Sequence, residues 1–278
     1  MKFTSAMQLK DYIKNIAKRT GTPANALLKT YFMERLLERI SISSYRDNII
    51  LKGGFLIASM IGIDKRSTMD MDATAIKLPL SFDTISRVMN EIISLDVHDD
   101  VFFEVIKISN IRDTGDHDDF RLHLKAKFHT INDFLKIDIT AGDIIVPQEI
   151  EYRYKLLFED RTIPVMAYNL YTILAEKIET IISRNISNSR ARDFYDVYLL
   201  LSLNQNTISR SELLDALKSK AAERGSLTFI ENYAELLSDI LTSPEISKIW
   251  DGYVRAFPYA KEIGIVDVIS VIRWIFED

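Results

Sequence analysis

The chain of 278 residues contains no cysteine, which excludes disulfide bridges and thiolate ligands for a metal. Its six prolines and nine glycines are too few for a collagen-like or disordered chain. No apolar run approaches the roughly 20 residues that a membrane-crossing helix needs. The first residues are polar and charged, and they show no signal peptide. These absences lead us to expect a cytoplasmic protein.

Signatures of several common enzyme chemistries are absent as well. The sequence has no P-loop, no G-x-S-x-G and no H-E-x-x-H motif, and its four histidines show no helical i, i+4 pairing. A net charge of −5 argues against a protein that coats nucleic acids in general. RNA remains compatible as a substrate, because local basic clusters can face a phosphate backbone on an acidic protein.

The chain is 47% hydrophobic, and its apolar residues define three regions. Helical spacing predicts two helices in residues 5–44, with Pro23 in the first turn of the second helix. The apolar stripe of the first helix consists of Met7, Tyr12, Ile13 and Ile16. This region is an N-terminal helical arm.

The second region is rich in β-forming residues and the third is helical. Alternating runs predict strands at 49–51, 68–76, 101–108, 120–128 and 134–140, with a helix at 82–95. An acidic stretch at 113–119 predicts a hairpin loop with Gly115 as its turn residue. Beyond Pro164, helices are predicted at 168–185, 190–203, 210–223, 227–241, 244–256 and 265–276. Because strands and helices are segregated, we expect an α+β fold with two domains, 1–165 and 166–278.

Gly53 and Gly54 follow the first predicted strand and precede an apolar run that predicts a helix start. A strand, a glycine turn and a helix start together aim backbone N–H groups at a bound anion. A tight turn that needs positive φ explains the same pair. Taken alone, the glycines favour the tight turn.

Two aspartates one residue apart, Asp70 and Asp72, give the strongest chemical signal in the chain. In an extended strand their side chains project from one face, and adjacent carboxylates repel one another unless a cation lies between them. Mg²⁺ meets this need and reaches phosphate oxygens through one or two carboxylates. An exposed polar strand face is the alternative, but Asp is depleted from strands. The pair therefore predicts a magnesium site for phosphoryl or nucleotidyl transfer.

A third carboxylate, Asp138, interrupts a strand whose opposite face carries Leu135, Ile137 and Ile139. It could complete a metal site or activate an attacking hydroxyl group. An exposed position on an edge strand explains Asp138 nearly as well.

Lys177 falls on the apolar stripe that Leu170, Leu174 and Ile181 form on the predicted helix at 168–185. An unpaired buried ammonium group is costly, so Lys177 needs an anion. A bound triphosphate or a catalytic carboxylate would supply it. The alternative is a lysine at the edge of the stripe with its charge in solvent.

The next predicted helix carries Asp193 and Asp196 on one face, at i and i+3. Asp193 is also explained as a first-turn residue that the helix dipole favours. Asp196 lies deeper, directly before an apolar run, and lacks such an explanation. The residues leave open which of Asp138, Asp193 and Asp196 has the third acidic role.

Taken in order, these segments resemble the AbiEii-type toxins, nucleotidyltransferases of the DNA polymerase beta-like superfamily that are encoded with abortive-infection systems. The resemblance covers roughly residues 51–201. It rests on Lys52-Gly53-Gly54-Phe55, Arg66-Ser67-Thr68-Met69-Asp70-Met71-Asp72, Leu174-Ala175-Glu176-Lys177 and Arg192-Asp193-Phe194-Tyr195-Asp196. It implies a nucleotidyltransferase-like mixed β-sheet core with an N-terminal helical arm and a helical C-terminal half.

The resemblance also implies roles for the matched residues. Asp70 and Asp72 would bind Mg²⁺, and an NTP would be the co-substrate. The residues that would contact the nucleotide are Gly53, Gly54, Arg66, Thr68 and Lys177. Lys177 would neutralise charge on the transferred phosphate, and Asp138, Asp193 or Asp196 would support catalysis.

We therefore expect a Mg²⁺-dependent nucleotidyltransferase toxin that transfers a nucleotide from an NTP to an acceptor. The resemblance points to the tRNA 3′ end as the acceptor, a cognate antitoxin from the same operon as a partner, and growth arrest in phage defence as the outcome. The alternatives are transfer to a small molecule or protein, a catalytically inactive nucleotide- or protein-binding module on the same scaffold, and a two-metal nuclease. The joint presence of Asp70, Asp72 and Lys177 argues against an inactive module.

Overall fold

A computed structural model describes residues 2–111 and 119–277 of the chain. These residues form two compact units. Unit 1 comprises Met1–Asp143 and Glu149–Tyr168, and unit 2 comprises Ile144–Gln148 and Asn169–Asp278. Residues 113–118 of the predicted hairpin loop, including Gly115, lie outside the described residues. In the ranges that are described, no helix combines the length and the apolar character that crossing a membrane requires.

Unit 1 begins with two helices, α1 (Ala6–Thr20) and α2 (Ala24–Ile42). Ser5 caps α1 by accepting a hydrogen bond from the Gln8 N–H group. Gly21 ends the helix in the left-handed conformation, with φ of 72°. The predicted helical arm is therefore present.

Two details of the predicted arm are wrong. Ile13 and Ile16 are buried together with Leu9, whereas Met7 is 72% exposed. Met7 lies about 200° around the helix from Leu9, so the two side chains cannot face the same core. Pro23 directly precedes α2 instead of lying in its first turn.

Seven strands in the described part of unit 1 form one mixed sheet: β1 (Ile49–Lys52), β2 (Met71–Ala75), β3 (Val101–Asn110), β4 (Phe120–Phe128), β5 (Ile131–Ala141), β6 (Ile150–Lys155) and β7 (Thr162–Ala167). Their order across the sheet is β3-β4-β5-β2-β1-β7-β6. β2 is antiparallel to β1 and parallel to β5, while β3, β4 and β5 form an antiparallel meander. Two further helices, α3 (Gly53–Ile61) and α4 (Phe82–Ile93), belong to the unit.

The five predicted strands are present, but β6 and β7 were not predicted. Pro164, which we expected to close the β-rich region, lies inside β7 and pairs with Arg153 of β6. On its other side, β7 pairs with β1 through Leu51 and Ala167, beyond the proline. The N–H group that proline lacks is therefore not needed for that ladder.

The two faces of β4 and β5 differ in polarity. The buried face consists of Phe120, Leu122, Leu124, Ala126, Phe128, Leu135, Ile137 and Ile139. α2 packs on this face, where the ring centroids of Tyr31 and Phe128 are 5.9 Å apart. β5 lies between β4 and β2, so the explanation of Asp138 as an edge-strand residue is wrong.

Unit 2 is helical in the residues that the structure describes. Its helices are α5 (Leu170–Arg184), α6 (Ala191–Asn204), α7 (Arg210–Glu223), α8 (Leu227–Glu231), α9 (Tyr233–Thr242), α10 (Pro244–Ala256) and α11 (Ile265–Arg273). The single helix predicted at 227–241 is two helices that meet at Asn232. The Asn232 Nδ2 atom donates to the Thr228 carbonyl at 2.8 Å, a local bond that competes with continued helix.

Unit 2 also includes a short segment, Ile144–Gln148, that lies in the chain between β5 and β6. The Asn169 Nδ2 atom donates to the carbonyls of Val146 and Gln148, at 2.9 and 2.7 Å. The Thr172 hydroxyl accepts from the Val146 N–H group and donates to its carbonyl, both at 3.0 Å. The segment is therefore bonded to the first turn of α5.

Glu34 of α2 is fully buried and accepts a hydrogen bond from the Leu157 N–H group at 2.7 Å. Burial raises the pKa of Glu34 from 4.5 to about 8, despite this hydrogen bond. The folded protein therefore keeps a proton that the unfolded chain releases above pH 4.5. The stabilising contribution of this proton is complete below pH 4.5 and is lost as the pH rises through about 8.

We expect Glu34→Gln to be more stable than the wild type at pH 8 and nearly unchanged at pH 5. The amide mimics the protonated carboxyl group and removes the cost of ionising it in the core, on the order of 3–5 kcal/mol. Urea unfolding at the two pH values measures the difference. Glu104→Gln, at an exposed position of β3, is the matched control and should change neither value. A Glu34→Gln protein less stable than the wild type at pH 8 would contradict the assignment.

Candidate active site

A polar row crosses four neighbouring strands of unit 1. In the sheet register, Lys52 of β1 lies beside Asp72 of β2, and Asp72 lies beside Asp138 of β5. Arg121 of β4 follows beside Asp138. Residues in register across a sheet project from the same face. The row therefore places two carboxylates side by side with a cation at each end.

Two hydrogen bonds fix Arg121 at one end of the row. The Arg121 Nε and Nη2 atoms donate to the two Asp138 carboxylate oxygens, both at 2.8 Å. These bonds raise the pKa of Arg121, and the negative charges of Asp70 and Asp72 add to the effect. The guanidinium group is therefore held in the field of three carboxylates.

The Lys52 end of the row is held by other side chains of unit 1. The Lys52 Nζ atom donates to Thr140 Oγ1 at 2.8 Å and to Asp143 Oδ2 at 2.5 Å. It also lies 5.5 Å from the centroid of the Tyr168 ring. These contacts satisfy a lysine that is 8% exposed, so its position is defined.

Asp70 lies immediately before β2, so the prediction that one strand contains both aspartates is right for Asp72 alone. The Lys136 Nζ atom lies 2.8 Å from Asp70 Oδ2, in a pair whose side chains are 31% and 40% exposed. Ion pairs this exposed contribute little to stability. Asp70 can therefore exchange Lys136 for another cation at small cost.

Gly53 opens α3 directly after β1, with φ of +69°. A Cβ atom at this position would lie 2.2 Å from Asp72 Oδ2, so the carboxylate occupies the space that a side chain would need. The left-handed conformation and the close approach both require glycine. The start of α3 thus lies against the Asp72 carboxylate, and the positive φ of Gly53 is the one that the tight-turn explanation requires.

The start of α3 is also packed against Arg66 and Thr68. A Cβ atom on Gly54 would lie 2.8 Å from Arg66 Nη2 and 3.2 Å from Thr68 Oγ1. Arg66 is buried, and its Nη1 atom donates to the Ser67 carbonyl at 2.5 Å. The Thr68 hydroxyl donates to the Asp70 carbonyl at 3.3 Å. The second glycine therefore lets a buried cation approach the helix start.

The carboxylates of the site fit a magnesium ion that a substrate helps to hold. Within residues 2–111 and 119–277, no three histidine or carboxylate side chains form a ready metal cage. Mg²⁺ commonly takes one or two carboxylates and completes its shell with water and substrate phosphates. Asp72, in the space that glycine leaves open, and Asp70, held by an exposed lysine, match this donor set.

Unit 2 contains a second charged cluster, in which α5 meets α6. The Lys177 Nζ atom lies 2.6 Å from Asp193 Oδ1 and 2.9 Å from Asp196 Oδ2. The Lys177 side chain is 14% exposed and that of Asp196 is fully buried. The predicted need of Lys177 for an anion is therefore met by two carboxylates, and its charge is not in solvent as the alternative required.

The structure groups the predicted residues by unit. Unit 1 brings together Gly53, Gly54, Arg66, Thr68, Asp70, Asp72 and Asp138. Unit 2 brings together Lys177, Asp193 and Asp196. Four side chains were missed: Lys52, Arg121, Lys136 and Asp143. Alternation along β4 and β5 signals Arg121 and Lys136, whereas Lys52 ends a run of three apolar residues in β1. Only the order of the strands places these three side chains beside the carboxylates.

We expect Gly53→Ala to abolish incorporation of labelled nucleotide, the activity predicted from the sequence, because its Cβ atom displaces the Asp72 carboxylate. Gly21→Ala is a matched control, since Gly21 has φ of +72° and a Cβ there meets nothing within 4 Å. Gly21→Ala should lose roughly 1 kcal/mol to backbone strain, and Gly53→Ala should lose more because of the added clash with Asp72, both measured by urea unfolding. Equal activity of the two variants would refute a role for the Asp72 position.

We expect Lys177→Met to destabilise the protein by roughly 3–5 kcal/mol, because it removes the cation paired with the buried Asp196 carboxylate. The triple variant Lys177→Met, Asp193→Asn and Asp196→Asn should recover most of this loss, because no buried charge remains. Urea unfolding compares the three proteins. If Lys177→Met is as stable as the wild type, the ion pair between Lys177 and Asp196 does not stabilise the fold.

Comparisons with known proteins address the fold and the family of the chain. The crystal structure of a proposed nucleotidyltransferase from H. pylori superposes with a TM-score of 0.50 at 14% identity, over 90% of this chain and 94% of the other. The crystal structure of JHP933 from Helicobacter pylori gives a TM-score of 0.51 at 15% identity, over 91% and 93% of the two chains. At this identity the likeness concerns the fold, and it confirms the predicted α+β nucleotidyltransferase-like architecture. No curated protein matches the sequence.

The family comparison extends beyond the fold. Residues 35–275 match the family model described as nucleotidyl transferase AbiEii toxin, type IV toxin–antitoxin system. This range contains every predicted site residue, from Gly53 to Asp196. The resemblance inferred from the sequence is confirmed: the chain belongs to the AbiEii family of nucleotidyltransferase toxins.

Proposed function

We propose that this nucleotidyltransferase moves a nucleotide from an NTP to an RNA acceptor, the 3′ end of a tRNA, in a Mg²⁺-dependent reaction. Use of an NTP follows from membership of the family. The proposal for the metal and the chemistry is carried by one observation, the contact between the start of α3 and the Asp72 carboxylate in the Lys52–Asp72–Asp138–Arg121 row.

The triphosphate would bind at the start of α3. Gly53 and Gly54 are the first residues of α3, so their backbone N–H groups would be available there, at the positive end of the helix dipole. Arg66, buried against Gly54, adds a guanidinium group, which pairs well with phosphate oxygens. Thr68, also against Gly54, carries a hydroxyl group. This set combines neutral and cationic donors, as a triphosphate site requires.

Asp70 and Asp72 would hold the metal ion between the sheet and the triphosphate. Mg²⁺ bound there would neutralise and orient the phosphate oxygens. Asp72 is positioned by its packing against Gly53, while Asp70 must first release Lys136. The released ammonium group of Lys136 then adds positive charge beside the incoming acceptor.

Asp138 would orient the acceptor hydroxyl group. The hydroxyl oxygen forms a bond to the α-phosphorus, the bond from that phosphorus to the bridging oxygen breaks, and pyrophosphate leaves. A carboxylate that receives the hydroxyl proton must lie within hydrogen-bond reach of the acceptor. Asp138 lies one strand from Asp72 and is partly exposed, whereas Asp196 is fully buried beside Lys177. This contrast favours Asp138.

For Lys177, the family resemblance supports contact with the nucleotide. Asp193 and Asp196 would then be positioning residues, because their carboxylates fix its ammonium group at 2.6 and 2.9 Å. Two carboxylates within 3 Å of one ammonium group leave little freedom to the lysine side chain.

The biological role that we propose is growth arrest in phage defence. The family's type IV toxin–antitoxin system implies an antitoxin as a partner. Modification of a tRNA 3′ end would stop translation, which accounts for toxicity without any further activity. Expression of the chain alone, with and without its operon neighbour, would measure this effect on growth.

We expect Asp70→Asn to lower nucleotide incorporation by at least about 100-fold, because it removes a metal ligand charge at the transition state. Its stability should stay within about 1 kcal/mol of the wild type, since the Lys136 pair is exposed. Asp133→Asn is a matched control, because Asp133 is also paired with a lysine, Lys29, but on the opposite side of β5 from Asp138.

The assay incubates purified protein with Mg²⁺, bulk tRNA and each of the four labelled NTPs, and resolves the products on a gel. Label in tRNA that depends on Asp70 but not on Asp133 supports the proposal. Label in protein or small molecules, or full activity of Asp70→Asn, would contradict it.

A further inference from the structure

The sheet face that carries the Asp72 row continues towards the edge strand β3. The next row places Lys136 of β5 beside His123 of β4, and His123 beside Lys107 of β3. His123 lies two positions along β4 from Arg121, and Lys136 lies two positions along β5 from Asp138. Alternate residues of a strand share a face, so both rows project from the same face. The polar face is therefore not confined to the carboxylates.

Two more rows extend this face. Phe134 of β5 lies beside Lys125 of β4, and Lys127 of β4 lies beside Phe102 of β3. We use the term platform for five outward side chains of β3, β4 and β5: Phe102, Lys107, Lys125, Lys127 and Phe134. Each phenylalanine of the platform thus has a lysine as its neighbour in register.

The charge of the platform is unbalanced. Across the described ranges of the chain, no carboxylate forms an ion pair with Lys107, Lys125 or Lys127, although the chain as a whole has a net charge of −5. Glu104, beside Lys125 in the register, is an acidic side chain on the same face, and no ion pair joins the two among the described residues. A concentration of unneutralised lysines on an acidic protein matches a polyanionic ligand.

The aromatic side chains of the platform are exposed to an unusual degree. Phe102 and Phe134 are 67% and 57% exposed, while the core of the sheet lies on the opposite face. The neighbour of Phe102, Phe103, faces that opposite side, where the Arg39 guanidinium lies 5.1 Å from its ring centroid. Exposed aromatic rings beside cations are the elements on which single-stranded nucleic acids stack.

We propose that the platform binds the single-stranded 3′ end of the RNA acceptor and leads it to the Asp138 row. This inference rests on the proposed function, since it identifies the acceptor surface of the same site. Lys127 lies six residues along β4 from Arg121, a span of roughly 20 Å. Sheet modules that bind single-stranded RNA stack about two or three bases over a comparable face.

RNA fits the platform better than the other occupants. A solvated polar face would explain the lysines, but it gives no reason for two exposed phenylalanines in the same rows. An apolar protein partner would explain the phenylalanines, but it would bury three lysines without partners at a high cost. Phosphates and bases satisfy both sets of side chains together.

The test measures binding of a fluorescein-labelled ten-nucleotide oligouridylate by anisotropy, without NTP and at several NaCl concentrations. Phe102→Ala with Phe134→Ala should weaken binding by about 10-fold or more, because each ring stacks on a base. Lys107→Ala with Lys125→Ala and Lys127→Ala should lower the slope of log K against log salt by about two. The thermal unfolding midpoints should not change, since all five side chains lie outside the core.

Matched controls come from the same unit. Phe82→Ala replaces a phenylalanine of α4 that is 55% exposed, and Lys10→Ala, Lys14→Ala and Lys18→Ala replace three exposed lysines of α1. Both sets should bind the oligonucleotide as the wild type does. A second measurement, nucleotide incorporation into tRNA, should show a raised KM for tRNA in the platform variants alone.

The outcomes separate this inference from the proposed function. If platform variants bind the oligonucleotide and modify tRNA as the wild type does, the inference is overturned while Asp70-dependent transfer stands. If the wild type binds the oligonucleotide through the platform but labels no RNA, RNA binding by the platform is supported and tRNA as the acceptor is contradicted. If the wild type does not bind the oligonucleotide, the inference is overturned, and a protein partner becomes the better explanation of the exposed phenylalanines.

Discussion

The candidate active site depends on one constraint, the register in which β1, β2, β5 and β4 pair. Directly next to the row of Asp72 and Asp138 lies a buried row of Met71, Ile137 and Leu122. A slip of one residue would exchange the two rows, moving the carboxylates into the core and the apolar side chains into solvent. The hydrophobic effect on one face therefore sets the positions of the charges on the other. No single interaction among the polar groups could fix them as strongly.

Pairing of carboxylates with cationic side chains occurs in both units. Asp70 is paired with Lys136, Asp138 with Arg121, and Asp193 and Asp196 with Lys177. The pairs differ in burial, and burial decides what each can do. An exposed pair is cheap to open and can release its carboxylate to a substrate, whereas a buried pair holds its members in place. Burial thus distinguishes the exposed Asp70–Lys136 pair, which costs little to open, from the buried pair of Lys177 and Asp196.

Much of this arrangement could be predicted from the sequence, because the decisive patterns are local. The glycine pair, the alternation around Asp72 and the helical position of Lys177 are visible within a few residues, and each was placed in the correct type of element. Contacts between distant residues were not visible. Lys52 meets Asp143 across 91 residues of sequence, and no periodic pattern connects them. The strand β7 was missed for a related reason, since Pro164 is tolerated through a pairing that only the sheet order reveals.

The short segment Ile144–Gln148 has a consequence for the gene as well as for the fold. Because it belongs to unit 2 while lying between two strands of unit 1, the polypeptide passes between the units after Asp143, after Gln148 and after Tyr168. A single recombination point cannot separate the units cleanly. A fragment that ends at Tyr168 keeps the segment but loses Asn169, whose side chain binds its carbonyls. The two units are therefore expected to be inherited together, and neither can be exchanged between relatives as one contiguous segment.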